Sequence, residues 1–129
     1  MSDIAPTVLL VDDNPLIREI TKETLQSAGF KVLESDTGEQ ALALVNQWQG
    51  PISVLVCDVV LPRMSGYVLS DLIHQLHPET NILHITGHPD ISDAVRRGFP
   101  ERQRRFLLKP FSQGELLATV RELSESDRG

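Results

Sequence analysis

Short apolar runs of strand length alternate five times with longer stretches of helical periodicity, a pattern that admits few solutions other than parallel strands joined by helical crossovers. The runs predict strands over Thr7 to Val11, Lys31 to Ser35, Val54 to Asp58, Ile82 to Thr86 and Phe106 to Leu108. Three of these are nearly all apolar, as strands are when helices cover both faces of a sheet. The first helix is predicted to start at Asn14, a capping residue, with Pro15 at the first helical position where a missing N–H costs nothing. Leu16, Ile17, Ile20, Leu25 and Ala28 then share its apolar face, and Gly29 ends it. A second helix follows Asp36 and Thr37, with Ala41, Leu42, Val45 and Trp48 turned inward and Gly50-Pro51 as the stop. Ser112 and Glu115 have capping-box spacing at the start of the last helix, whose stripe is Leu116, Leu117, Val120 and Leu123. Pro100 forces Phe99 out of helical geometry, so the helix before it is expected to be short and Glu101 to Arg105 to be a charged connection.

A length of 129 residues suits one domain with one core, here taken as 1–129 with a folded core over about 7–123 and frayed ends at Met1 to Pro6 and Ser124 to Gly129. The net charge of -6 and pI near 5.1 argue against general nucleic-acid binding, which needs a basic stripe. No apolar run reaches membrane-spanning length and no signal-like segment opens the chain, so a cytoplasmic protein is expected. Cys57 is the single cysteine; it cannot form an internal disulfide and reads as a small core residue.

In an open parallel sheet, ligands bind at the carboxyl ends of the strands. Asp12 and Asp13 follow the first strand, Asp58 ends the third, Thr86 ends the fourth and Lys109 follows the fifth. Sheet packing asks for none of these. Three carboxylates converging on one edge repel unless a cation lies between them, and hard oxygen ligands favour Mg²⁺, Mn²⁺ or Ca²⁺ over zinc. Few protein ligands with retained waters suit Mg²⁺ beside a phosphate. A lysine and a hydroxyl next to a metal-bound carboxylate suit a phosphoryl group carried on that carboxylate, and Asp58 is the best candidate nucleophile. Taken singly, Asp12 reads as well as a helix cap, and Thr86 or Lys109 as an ordinary loop residue. Their coincidence with Asp58 favours a phosphorylation site. His74, His77, His84 and His88 have no metal-binding helical spacing with carboxylates and read as surface or core residues.

These segments resemble the response-regulator receiver family of two-component signalling. The resemblance rests on Val11-Asp12-Asp13-Asn14-Pro15, Cys57 to Gly66, Ile85-Thr86-Gly87-His88 and Phe106 to Phe111, in that order, and covers about Thr7 to Leu123. The segments Ile85 to Asp90 and Phe106 to Phe111 are most similar to receivers of hybrid histidine kinases. The resemblance implies a flavodoxin-like, doubly wound α/β fold: a five-stranded parallel sheet of order 2-1-3-4-5 with helices on both faces. It further implies Mg²⁺ held by Asp13 and Asp58 directly, by Asp12 partly through water, and by the backbone carbonyl of Val60. Asp58 then accepts phosphate from a histidine kinase or a histidine phosphotransfer domain. Thr86 turns toward the phosphoryl oxygens, Phe106 follows as the switch aromatic, and Lys109 reaches the phosphate, aimed by a cis Pro110. Gly66 is expected to permit a tight turn.

The sequence departs from the family pattern at Leu61, usually methionine, and at Ser65, usually aspartate. Val60 cannot orient an attacking water, so a slowly hydrolysing phosphoaspartate is expected, and His88 stands at another position that tunes hydrolysis. Arg96, Arg97, Arg102, Arg104 and Arg105 form either a solvated face or a docking surface for an acidic partner. A phosphorylation-controlled switch that assists its own phosphorylation and dephosphorylation is the leading function. The alternative is a phosphorylation-independent receiver-like interaction module, which loss of an acidic residue, Thr86 or Lys109 would favour. An aspartyl phosphatase is disfavoured, because that chemistry wants an aspartate where Val60 stands. No output unit follows the last helix within these residues, so another molecule, or another part of a longer chain, is expected to read the signal.

Overall fold

Aliphatic and β-branched residues concentrate in five runs, and in the structure, a computed structural model describing residues 5–87 and 103–126, each run is a strand. They are β1 (Thr7–Val11), β2 (Lys31–Ser35), β3 (Val54–Asp58), β4 (Asn81–Thr86) and β5 (Arg104–Leu108). All neighbours pair in parallel, in the order β2-β1-β3-β4-β5 that the resemblance implied. The described helices are α1 (Pro15–Ser27), α2 (Gly38–Gln47), α3 (Gly66–Leu76) and α4 (Gln113–Ser126).

The period-2 pleat explains why β1 is buried at every position. Leu9 and Val11 point to one face, where they cluster with Ala41 and Val45 of α2 and Leu69 and Ile73 of α3. Val8 and Leu10 point to the other, against Leu25 of α1 and Leu116, Val120 and Leu123 of α4. Each fully buried aliphatic side chain contributes on the order of 2 kcal/mol, so a strand packed on both faces anchors the sheet centre. Cys57 is fully buried in the first of these clusters, where burial pushes its thiol pKa up.

Local chemistry sets the helix starts. Asn14 accepts from the Leu16 and Ile17 N–H groups, Thr37 from Gln40 and Ser65 from Val68. Ser112 and Glu115 form the expected reciprocal box, with bonds of 3.0 and 2.9 Å. Ser65 therefore caps α3 as an aspartate can, which accounts for the tolerated departure there, while Leu61 is buried in the core beside α2 and α3.

Four expectations need correction. Leu16 and Ile20 do not face the core: they are 68% and 39% exposed, and the buried residues of α1 are Thr21 and Leu25. The helix is rotated so that the Ile17, Thr21, Leu25 row meets the sheet, and Thr21 takes a 3.4 Å bond from Gln113 of α4. Second, β4 starts one residue early, at Asn81, whose side-chain amide donates to the Leu123 carbonyl at 2.6 Å. Third, Arg104 and Arg105 belong to β5, not to a charged connection; pairing with Ile82 and Leu83 overrides their weak strand propensity. Arg104 is buried, and Arg105 pairs with Glu122 at 3.2 Å. Fourth, Ser124 and Glu125 continue α4 instead of fraying. The helix expected before Pro100, together with His88, Arg96, Arg97 and Arg102, falls on residues outside those described.

Candidate functional site

Parallel pairing brings the carboxyl ends of β1 and β3 side by side, with Val11 opposite Cys57, so the residues that follow meet at one point. Carboxylate oxygens of Asp12, Asp13 and Asp58 lie within 4.8 Å of one another. Asp12 and Asp58 are buried and Asp13 is exposed, which leaves one open side to the cluster. The loop holds them by its own backbone: the Asn14 N–H donates to Asp12 at 2.9 Å and the Val60 N–H to Asp58 Oδ1 at 3.0 Å. Lys109 Nζ, entering from the loop after β5, lies 2.6 Å from the other Asp58 oxygen. Its backbone N–H bonds to the Thr86 carbonyl at 3.0 Å, and the Lys109–Pro110 peptide is cis, as the resemblance implied.

The electrostatics fit a cation. Burial raises the Asp12 pKa, the Asn14 N–H partly offsets this, and the negative charge of Asp58 raises it further. The hydrogen bond and charge of Asp58 raise the Lys109 pKa against the cost of desolvation, so the lysine stays ionised. A cavity of about 670 Å³ opens over the group, bounded by Asp12, Asp13, Asp58 and Lys109 and walled by Pro15 and Phe111. Hard oxygens around an open basin beside an ammonium suit a divalent ion with an anionic, oxygen-rich ligand.

Four of the expected site residues thus share one basin. Thr86 ends the neighbouring strand, buried, and joins the group through its backbone bond to Lys109. Phe106 is half-buried on β5, directly across from His84. The tight turn expected at Gly66 rests on close backbone approach, not on a left-handed φ. The left-handed residue of this loop is Arg63, at φ 64, whereas a Cβ on Gly66 would stand 2.3 Å from the Asp58 carbonyl oxygen. Sequence reasoning also missed Arg18, whose guanidinium donates to the Asp12 carbonyl at 2.8 Å while pairing with Glu34 at 3.2 Å. Its only signal was a position one turn into α1, which does not by itself point at a loop.

A family model described as the response regulator receiver domain matches residues 8–121, a span that reaches into all five strands and includes the whole acidic basin. The chain belongs to this family. Receiver domains act as phosphoacceptor switches in two-component signalling, and the phosphoacceptor role fits this chain. It is 36% identical over 120 residues to Sensor kinase CckA of Brucella abortus, covering 92% of this chain and 12% of that protein. It is 33% identical over 116 residues to the transcriptional regulatory protein CpxR of Escherichia coli, covering 90% of this chain and 48% of that one. The chain therefore spans less than half the length of either relative. Among solved structures, the signal receiver domain of an HD domain-containing protein from Pseudomonas fluorescens superposes with a TM-score of 0.83 at 28% identity, over 99% of this chain and 93% of that one. The chemotaxis protein CheY4 of Vibrio cholerae gives 0.81 at 29%, over 93% and 99%. Receiver domains bind Mg²⁺ at an acidic cluster, and Asp12, Asp13 and Asp58 stand together as such a cluster. No described helix is long and apolar enough to cross a membrane.

Proposed function

We propose that Asp58 is the phosphoacceptor of this receiver domain, that Asp12, Asp13, Asp58 and the Val60 carbonyl hold Mg²⁺, and that Thr86 and Lys109 bind the phosphoryl oxygens. The observation that carries the reading is the 2.6 Å contact of Lys109 with a buried aspartate whose carboxylate also borders two others. Bound there, Mg²⁺ supplies positive charge against the clustered carboxylates and the phosphoryl oxygens. An Asp58 oxygen attacks the phosphorus of a phosphohistidine on a histidine kinase or phosphotransfer domain. The N–P bond breaks, its electron pair returns to the imidazole, and the acyl phosphate remains on Asp58. Lys109 moves from carboxylate to phosphoryl oxygen, and the Thr86 hydroxyl adds a second donor. Because these groups belong to the chain itself, the domain assists its own phosphorylation and dephosphorylation. Thr86 and Phe106 are the moving parts, and the altered surface is read by an output protein or a further domain. The setting is the cytoplasm, and 1–129 is one receiver unit.

Incubation with a small phosphodonor, with and without Mg²⁺, followed by intact mass and peptide mapping, tests this. One phosphoryl group on the peptide containing Asp58, with no uptake when the metal is chelated beforehand, is expected; labelling elsewhere, or uptake indifferent to the metal, refutes it.

Two further outcomes follow from the site. The Asp12 carboxyl binds its proton more tightly folded than unfolded, so its favourable contribution without metal is present below pH 3.8 and fades as pH rises through the raised folded value. At neutral pH, Asp12→Asn is therefore expected to raise the melting temperature of the metal-free protein by a few degrees and to abolish the further rise that Mg²⁺ produces in wild type. A thermal melt with and without Mg²⁺ checks both. Val60 is 75% exposed beside Asp58 and offers no polar atom on its side chain. Val60→Asn or Val60→Glu is expected to speed phosphoaspartate decay by up to about a hundredfold, the lower range of a positioned base or water-orienting group. An unchanged decay rate removes Val60 as the cause of slow hydrolysis.

A further inference from the structure

His84 is fully buried in β4, where an aliphatic residue would satisfy the packing. Its Nε2 lies 3.0 Å from the Ser70 hydroxyl of α3, and that hydroxyl also reaches the Tyr67 carbonyl at 3.0 Å. Nε2 and the Ser70 hydroxyl thus share one hydrogen bond, which fixes the plane of the ring whichever of the two donates. Among the described residues Nδ1 has no partner by hydrogen-bond geometry, while the nearby Gly66 backbone favours the charged ring slightly. Burial first, and the charge of Arg104 second, lower the pKa to about 4, so the ring is neutral near pH 7.

The neighbours of that ring connect three elements. Phe106 of β5, the cross-strand partner of His84, stacks on it at 5.4 Å between centroids and 30° between planes. Tyr67 of α3 meets it at 4.9 Å, tilted by 60°, and also meets Phe106 edge-on at 6.4 Å and 65°, so the three rings form one cluster. Thr86, two residues along β4, lies on the same face of the strand as His84. A displacement of Phe106 toward Thr86 must therefore change its stack with His84, and the Ser70 bond resists rotation of that ring.

We propose that His84 is a positioning residue of the switch: oriented from α3 by Ser70, its ring holds Phe106 in the unphosphorylated arrangement and, alongside the direct edge contact of Phe106 with Tyr67, couples Phe106 movement to Tyr67 and α3. The inference rests on the reading of Asp58 as phosphoacceptor and Phe106 as the moving aromatic. Phosphorylation is then felt on α3 as well as at the β4 and β5 ends.

Tyr67 is the sole tyrosine, so ring-labelled tyrosine gives one NMR reporter in the whole chain. Wild type, His84→Leu, His84→Phe and Ser70→Ala are each treated with phosphoramidate and Mg²⁺, and Tyr67 signals are compared at phosphoryl occupancy matched by intact mass. Wild type is expected to show a Tyr67 shift on phosphorylation. His84→Leu should reduce it at least about twofold, the lower range for loss of a coupling residue. His84→Phe, which keeps a flat ring, should restore most of it, and Ser70→Ala should fall between. A wild-type-sized shift in His84→Leu overturns the relay, as does a phosphorylated wild type whose Tyr67 signal does not move. Should His84→Leu fail to fold, a full wild-type shift in Ser70→Ala overturns the proposed orientation. Failure of wild type to take phosphoryl on Asp58, read from the mass, overturns the site reading itself and the relay with it.

Discussion

Asp58→Asn is expected to take up no phosphoryl group from any donor while remaining folded. The asparagine side chain keeps the shape of the aspartate, and its carbonyl oxygen can still accept from the Val60 N–H. It loses the charge opposite Lys109 and presents no nucleophilic oxygen to phosphorus. The loss of reactivity is therefore complete, not graded. Stability should change little. The substitution breaks the ion pair with Lys109, yet the lysine side chain is 48% exposed and can turn its ammonium to water. It also relieves repulsion of Asp12 and Asp13, so a net change within about 1 kcal/mol is expected. Intact mass after donor treatment and a denaturant melt separate the two effects. Uptake by the variant equal to wild type would place the acceptor elsewhere.

Gly66→Ala should be the most damaging single methyl in the basin. A Cβ there meets the Asp58 carbonyl oxygen at 2.3 Å, the Val59 Cα at 2.9 Å and the Asp58 carbonyl carbon at 3.0 Å, all backbone atoms. No rotamer change relieves such a clash; the end of β3 must separate from the start of α3. That separation strains the Gly66 N–H bond to the Val59 carbonyl, now 2.8 Å. Forced overpacking of this kind costs about 3 kcal/mol. Because the displaced atoms carry Asp58 itself, Mg²⁺ affinity and phosphoryl uptake should fall with stability. Chemical denaturation and metal titration of the variant measure both. A melt within error of wild type would show that the loop accommodates the methyl and that Gly66 serves some other purpose.

Much of this receiver domain was legible before folding. Alternation of apolar runs and helical stretches marked all five strands, and Asn14, Ser112 and Glu115 act as the caps their spacing announced. Those features are local: a strand run or a cap depends on side chains within a few residues. The acidic pair after β1, the aspartate ending β3 and the lysine after β5 were likewise visible as polar residues at strand ends. Reading failed where a distant element decides the outcome. The apolar face of α1 was drawn too wide because Leu16 and Ile20 satisfy helical periodicity, yet α4 and the sheet meet the Thr21 and Leu25 row. Arg104 and Arg105 look like loop residues until β4 supplies them with partners.

Chain order thus determined the elements, their caps and the chemical types available at the sheet edge. The tertiary structure alone decided that Asp12, Asp13 and Asp58 stand within 4.8 Å with Lys109 against one of them, that Gly66 must lack a side chain, and that His84, Tyr67 and Phe106 meet as one cluster of rings. The physical reason is range. Helix and strand preferences act over a few residues, whereas repulsion among carboxylates, a backbone clash and the stacking of three rings exist only after strands far apart in sequence pair side by side.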